Sequence, residues 1–378
     1  VLIFYFMNPD GNGMWAGGGL VKTGPERWDR HSESWVFMRE LGPDEPDEID
    51  ETNVVERMRE LLRIPDFNPE IRKIGRWEVQ GVAAERYREG RVFLAGDAAH
   101  RHPPVSALGL NTAFGDTHNL AWKLALVLQG KADESLLDTY GSERQPVGFR
   151  VAEWALNGFK LRSLIDTAIG LKAGDREGNR RAFESLYADT PGGATSRAIL
   201  AEVMNIQRIG PQAHDMEIGY RYESGALVSD GTTAPPRDPM AGIYQPITRP
   251  GSRLPHALLE RDGQPCSTHD LVAPGQFVLF CANPDWVAAT RSAAAATGLP
   301  VRAVLVDAPL PAGTPADSAI ACQDRRGDWS RLREVGVDGA VLVRPDTHVA
   351  WRVQARPGDP AAALLAALHQ ALHLRAGA

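Results

Sequence analysis

The sequence predicts an α/β protein with more than one domain. Three observations lead there. The chain has 378 residues, more than one hydrophobic core usually serves. Short apolar runs that read as strands alternate with longer runs at helical spacing. A stretch rich in proline and glycine, Gly231–His256, separates two such regions and reads as an extended linker.

The elements follow in order. "VLIFYF" and the run after Met14 flank a turn cluster at Asn8–Gly13, a hairpin signature. Val54, Met58, Leu61 and Leu62 repeat at helical spacing until Pro65. "IRKIGRWEVQGVAAERY", residues 71–87, reads as one or two strands. Arg91–Ala95 is a short strand without alternation, expected to be buried on both faces. A helix is predicted from Leu110 to Gln129, with Leu110, Phe114, Ala121, Leu124, Ala125 and Leu128 as its buried stripe and Gly130 as its stop. Asp133 caps a second helix through Leu136, Leu137 and Tyr140. Helical patterns then cover 151–171 and roughly 176–207. After Pro211 the composition changes. A second α/β unit runs as strand 276–281, helix 284–297, strand 301–306, helix 328–335, a hairpin over 340–353 turning at Pro345-Asp346, and a helix capped by Asp359 with Pro360 in its first position.

Composition narrows the function. Apolar residues make up 43% and charged residues 24%, as in ordinary globular proteins, and the net charge is −7. A chain with no basic surplus is a poor ligand for nucleic acid. No apolar run is long enough to span a bilayer. Cys266, Cys281 and Cys322 are far apart and form no C-x-x-C, which argues against a zinc site and for a reducing, cytoplasmic setting. Cys281, inside an apolar strand, is expected to be inert packing. The chain starts at Val1 within a strand-like run, and the sequence is read as lacking an N-terminal part.

"GRVFLAGDAAHRHPPVSALGLN", Gly90–Asn111, carries the chemistry. An apolar strand that delivers Gly96-Asp97 and leads into a helix matches the ligand-facing edge of an open α/β sheet. Gly96 permits close approach to the backbone. Asp97 is an acceptor for ligand hydroxyls. Pro103 and Pro104 stiffen the loop and remove two donors. Gly109 precedes Leu110 and Asn111, whose N–H groups at a helix start favour negative charge. His100 and His102 form an H-x-H with no third ligand in sight, so no metal is assigned. Trp122 and Leu124 are expected to pack the helix, Lys123 to lie at the surface or support a neighbour, and Glu143-Arg144 to form a structural ion pair.

The stretch Gly90–Val147 resembles the second flavin motif of the FAD-dependent aromatic hydroxylases, the single-component monooxygenases of the p-hydroxybenzoate hydroxylase superfamily. It is most similar to the phenol and 2,4-dichlorophenol 6-monooxygenase branch and the related polyketide hydroxylases. The residues that carry this are Gly-Asp at 96–97, Ala-Ala-His at 98–100, Pro-Pro at 103–104, Gly-Leu-Asn at 109–111, Asp116, Asn-Leu at 119–120, Trp-Lys-Leu at 122–124, Tyr140, Glu143-Arg144 and Pro146. "GYRYESGALVSDG", "YQPITRPGSRLPHALL" and "GAVLVRPDTHVAWR" extend the resemblance over nearly the whole chain.

The resemblance implies a partial FAD-binding domain of glutathione-reductase type, a substrate-domain β-sheet and a C-terminal thioredoxin-like domain. Its boundaries would be 1–80 for the sheet, 81–160 for the FAD lobe, 161–215 for a helical segment, and 216–378 for linker and thioredoxin-like domain. FAD would be the cofactor, NADPH or NADH the reductant, and O2 with a phenolic aromatic the substrates, in a protein that could self-associate. The reaction would be ortho-hydroxylation through a flavin C4a-hydroperoxide. Asp97, with Gly96 beside it, would bind the ribityl hydroxyls. Leu110 and Asn111, after Gly109, would face the pyrimidine edge, and Pro103–Pro104 would lie beside the ring. Tyr5, Phe6, Trp15 and Trp35 would line the substrate pocket. An alternative substrate is a polycyclic aromatic polyketide. A third reading, from another class, is a non-catalytic module with an incomplete flavin cleft.

Two departures from the family stand out. Val105-Ser106-Ala107 replaces glycine-rich residues, and neither "DGNG" at 10–13 nor "GGG" at 17–19 supplies the G-x-G-x-x-G fingerprint. The chain by itself is therefore expected to bind FAD weakly or not at all.

Overall fold

A computed structural model describes residues 3–7, 17–39, 51–104, 107–172, 174–210 and 212–374. The predicted turn at Asn8–Gly13 and Trp15 lie outside the described residues. The chain divides into two compact units, Val1–Val79 with Asn157–Arg208, and Gln80–Leu156 with Ile209–Ala378.

The first unit holds an antiparallel sheet in chain order, β1 (Ile3–Met7), β2 (Gly17–Lys22) and β3 (Trp35–Arg39). The register Tyr5↔Gly19 and Gly19↔Met38 joins them, as the hairpin signature predicts. Helix α1 (Glu51–Leu62) follows and stops before Pro65, where a proline cannot continue the ladder.

The second unit begins with short pairs. Two-residue strand β4 (Val82–Ala83) is the only strand found within 71–87, and Trp77 is 61% exposed. Strand β5 (Arg88–Glu89) turns at Gly90, φ +56°, into β6 (Val92–Phe93). The expectation of a doubly buried strand over Arg91–Ala95 is corrected: Val92 is 64% exposed, and the segment pairs only with β5. Apolar composition alone cannot bury a strand that has one antiparallel neighbour. Strand β7 (His100–Arg101) pairs with β4.

Helix α2 (Leu108–Leu128) occupies the predicted place, but its faces are reversed. Leu110, Phe114 and Leu128 are 68%, 62% and 80% exposed, and the rest of the expected stripe is exposed or only partly covered. The buried face runs Leu108, Thr112, Asp116, Asn119, Lys123, Leu126. Helical period alone cannot distinguish two stripes, and here ion pairing makes the polar one burial-competent. Gly130, φ +71°, follows the last turn as predicted. Asp133 accepts from the Ser135 N–H and opens a short 3₁₀ turn that runs into α3 (Asp138–Leu161).

In the first unit α4 (Ser163–Ile169), α5 (Arg176–Tyr187) and α6 (Pro191–Ile206) pack on one another. Asp175 caps α5. Thr190 caps α6, and Pro191 takes its first position, so the pattern predicted over 176–207 is two helices.

Helix α7 (His214–Glu217) is one turn in the second unit. Residues 231–256 carry no regular helix or strand, as read, yet Thr248, Ser252 and Leu254 are buried. Then come β8 (Leu258–Arg261), β9 (Gln264–Ser267), β10 (Phe277–Cys281), α8 (Asp285–Thr297), β11 (Val301–Val306), β12 (Ala319–Cys322), α9 (Asp328–Leu332), β13 (Ala340–Val343), β14 (Val349–Val353) and α10 (Pro360–Leu372). Five strands form a sheet in the order β12-β11-β10-β13-β14, parallel across β12, β11 and β10 and antiparallel beyond. Every residue of central β10 is buried, and the faces alternate. Phe277, Leu279 and Cys281 meet α8, α10 and Trp122, whereas Val278 and Phe280 meet β8 and Trp329. Burial pushes the Cys281 thiol far up, which makes it inert as expected.

Candidate functional site

The site is built where the segment 96–111 meets the start of α2. Gly96, φ +57°, opens a 3₁₀ turn over Gly96–Ala98. A Cβ at Gly96 would come within 3.3 Å of the Ala113 side chain, so the turn lies directly on α2. The Gly96 N–H donates to Asp116 Oδ2 at 3.1 Å, and the His100 ring shares the same oxygen at 2.7 Å. Asp116 thus ties Gly96, at the head of the turn, and His100, just past it, to the third turn of α2.

The seven residues expected at a ligand are brought onto this stretch. Asp97 projects into solvent. Pro103 is buried and Pro104 exposed; Val105 and Ser106 lie outside the described residues. Ala107, φ +54°, precedes α2 and gives it no side-chain cap. Gly109, Leu110 and Asn111 form the first turn, where N–H groups have no acceptor one turn back. No acidic side chain occupies that turn. Leu110 is open to solvent, and the Asn111 amide donates back to Ala107 O at 3.0 Å, so its side chain closes the turn. The helix end keeps its partial positive charge for whatever approaches.

His100 and His102 stack at 4.5 Å between centroids. One is bound to Asp116 and the other to Gly148 O at 3.3 Å. Burial and the neighbouring His100 push the His102 pKa down to about 4, so that ring is neutral at ordinary pH. Among the described residues no three His, Cys, Asp or Glu side chains converge on a metal position.

Beneath this surface lies a buried ionic network that the sequence reading had only in part. Arg144 Nε donates to Asp116 Oδ1 at 2.9 Å, and its Nη2 donates to Thr112 O at 3.0 Å. A Cβ at Gly115 would come within 2.7 Å of that guanidinium, so the helix surrenders a side chain to admit it. Burial pushes the Asp116 carboxyl up, but the His100 hydrogen bond and Arg144 outweigh it and hold the pKa below its ordinary value.

Glu143 is the second hub. Lys123 Nζ at 2.7 Å, Asn119 Nδ2 at 2.6 Å, both Arg344 Nη atoms at 2.7 and 2.8 Å, and the Ala226 N–H at 2.7 Å all donate to it. Arg344 comes from the β13–β14 turn and also grips Asp346 in that turn. Three cations, Lys123, Arg144 and Arg344, face three anions, Asp116, Glu143 and Asp346, and every one is buried. Burial raises Glu143, yet Arg344 and Lys123 bring its pKa to about 2. Burial lowers Lys123 to about 8.

One expectation is narrowed and one corrected here. Of the two places read for Lys123, full burial excludes the surface and leaves support of a neighbour, Glu143; Glu143 and Arg144 pair outward to different partners rather than with each other. Trp122 does pack as expected, edge-on to Phe277 at 5.7 Å. Trp35 is 37% exposed on β3. The stripe Thr112, Asp116, Asn119, Lys123 was a readable signal, since its 4-3-4 spacing is helical. Arg344 and Asp346 had no local signal.

The chain matches two family patterns. Residues 1–155 match the FAD binding domain, and residues 247–373 match the aromatic-ring hydroxylase C-terminal domain. It is 36% identical to phenol 2-monooxygenase of Pseudomonas sp. (strain EST1001) over 352 residues, which is 90% of this chain and 56% of that protein. It is 34% identical to 2,4-dichlorophenol 6-monooxygenase of Cupriavidus pinatubonensis, covering 98% and 60%. Aklavinone 12-hydroxylase of Streptomyces purpurascens is 36% identical, with 92% and 55% covered. Among solved structures, the flavin-dependent monooxygenase PieE in complex with FAD and substrate superposes with a TM-score of 0.85 at 36% identity, over 98% of this chain and 62% of that one. Aklavinone-11 hydroxylase with FAD and aklavinone gives 0.66 at 32% identity, over 94% and 57%. The chain spans less than two thirds of the length of each of these relatives.

Proposed function

We propose a function from this premise: the chain belongs to the FAD-dependent aromatic-ring hydroxylases. The protein that carries it binds FAD along residues 96–111 and hydroxylates a phenolic aromatic ortho to its oxygen. NADH or NADPH supplies electrons and O2 supplies the oxygen atom.

One observation carries the reading. Gly96 is fixed on α2 by Asp116, while Asp97 and the uncapped first turn of α2 stay open to solvent. The donor set suits the cofactor. Asp97 is a carboxylate that can accept from ribityl hydroxyls, beside a glycine that lets them approach. Leu110 and Asn111 offer backbone N–H groups where a reduced flavin carries negative charge at its pyrimidine edge. That helix end contributes about 0.3–1 kcal/mol if exposed and about 2 if partly buried. Pro103 and Pro104 have no N–H to compete for the ring's acceptors. When bound, FAD accepts electrons from the nicotinamide, activates O2 and supplies the electrophilic oxygen. The protein's part is to orient the ring, hold its charge and exclude water.

The C-terminal sheet, with its strand-helix-strand start and antiparallel close, is read as thioredoxin-like. It has no C-x-x-C, and Cys281 and Cys322 lie inside strands. Its role is structural, through Arg344 and Asp346 gripping Glu143 and Asn119. The domain division read from the sequence remains part of this proposal.

A polycyclic substrate is the second reading. The chain is as identical to aklavinone 12-hydroxylase as to phenol 2-monooxygenase. Assaying the complete protein for NAD(P)H-dependent conversion of phenol and chlorophenols to catechols, against anthracyclinone-like polyketides, decides between them. Reduction of O2 without hydroxylation of either class overturns both.

A further inference from the structure

We propose that a cleft between α3, α7 and the chain over 220–237 binds a small aromatic carboxylate, separately from the flavin stretch. It shares no residue with 96–111. The cleft encloses about 270 Å³. That is just below the roughly 300–1,000 Å³ of sites for drug-sized ligands, and suits one ring with a short substituent.

Its chemistry is two-sided. Val147, Val151 and Met216 form a buried apolar floor. Arg150, Arg221 and Arg237 line the walls, each only partly covered. All three lie around a single buried carboxylate, Asp215. Arg150 reaches its Oδ2 at 3.2 Å, and Arg237 approaches the same oxygen at 3.4 Å. Arg221 uses one Nη on Pro235 O at 2.9 Å. Arg237 also donates to Gly219 O at 2.6 Å. Each guanidinium has five N–H donors, so each keeps donors for a ligand.

The charge count leaves a cationic surplus. Glu223 also lines the cleft, but Arg249 holds it at 3.1 Å. Asp238, close by, spends its carboxylate on the Met240, Gly242 and Ile243 N–H groups. Those N–H groups are neutral, so Asp215 and Asp238 together bring two negative charges to three guanidiniums. Burial raises its pKa, with Asp238 adding to that and Arg150 and Arg221 opposing it. A ligand carboxylate would be the third and complete the balance, accepting a bidentate pair of bonds. Its ring would cover the floor. A neutral phenol would leave the guanidiniums uncompensated, and a bare phosphate would leave the floor wet.

The test needs no flavin and no turnover, so its outcome is independent of the proposed hydroxylase activity. The 378-residue chain is titrated with 4-fluorobenzoate by ¹⁹F NMR, and with benzoate by calorimetry. Benzyl alcohol, inorganic phosphate and 2′-AMP serve as competitors. Saturable benzoate binding is expected, with benzyl alcohol and phosphate each at least about tenfold weaker. Arg221→Gln, which keeps a donor for Pro235 O, should weaken benzoate about tenfold. Ala234→Trp, which fills the cleft from its rim and leaves every arginine in the sequence, should abolish binding. Equal affinity for benzyl alcohol, or unchanged benzoate binding in both folded variants, overturns the proposal. Tighter binding of 2′-AMP than of benzoate also overturns it, because the site would then select a phosphate.

Discussion

Replacing Glu143 by alanine removes the hub of the buried network. The carboxylate accepts five hydrogen bonds, two from Arg344 and one each from Lys123, Asn119 and the Ala226 N–H. Without it, Lys123 and Arg344 share only Asp346, and one positive charge is left uncompensated with no solvent access. One ion pair at this range is worth about 5 kcal/mol gross at an effective dielectric near 20. Breaking a buried pair from one side costs about 3–5 kcal/mol net. A unit of about 250 residues loses about 2–4 °C per kcal/mol, so its melting point should fall by about 6–20 °C. Differential scanning calorimetry at pH 7 reads this directly. Glu143→Gln keeps the shape and removes the charge, and should lose most of the same stability. If both variants melt within about 1 °C of the parent, the network does not hold this unit together.

Other outcomes follow from the same geometry. Lys123→Met should cost about as much as Glu143→Ala, about 3–5 kcal/mol, because Glu143 and Asp346 are then left to share Arg344. The folded Lys123 pKa of about 8 lies below its ordinary 10.5, so the unfolded chain binds more protons between those values and parent stability should rise across that window. Urea titrations should show that rise missing from Lys123→Met; an unchanged slope counts against burial of the amine. For Glu143, with a folded pKa of about 2 against 4.5, the stabilisation is complete above pH 4.5 and drains away as pH falls toward 2. Glu143→Ala should lack that part of the acid limb. Gly115→Ala places a methyl against the Arg144 guanidinium. The overpacking cost, about 1–3 kcal/mol, should exceed the helix-propensity gain of about 0.5–1 kcal/mol. A more stable Gly115→Ala in a urea melt would show that Arg144 is free to move.

Much of the fold was legible because its signals are local. Val301–Val306 is the strand the apolar run predicts, and Asp359-Pro360 starts α10 as a cap and first-turn proline should. Strands β8, β9 and β12 escaped because each is four residues long and defined by partners distant in sequence. The orientation of α2 was misread for a physical reason. Both Leu110-Phe114-Ala121-Leu128 and Thr112-Asp116-Asn119-Lys123 repeat at helical spacing, and hydropathy favours burying the first. The second is buried because Arg144 and Glu143, on the next helix, and Arg344, some two hundred residues away, neutralise it. The candidate site was visible as a motif. Its anchor, the Gly96 N–H on Asp116, required the turn to be seen against the helix.

The claim that residues 96–111 hold a flavin is tested most directly by titrating the 378-residue chain with FAD, beside its Asp97→Ala variant, by flavin fluorescence. Any binding by the parent is predicted to be weak, with a Kd no tighter than tens of micromolar, about 6 kcal/mol. Loss of the charge-assisted bonds at Asp97 should weaken it at least about tenfold. Equal, saturable affinity in the two proteins would contradict the assignment.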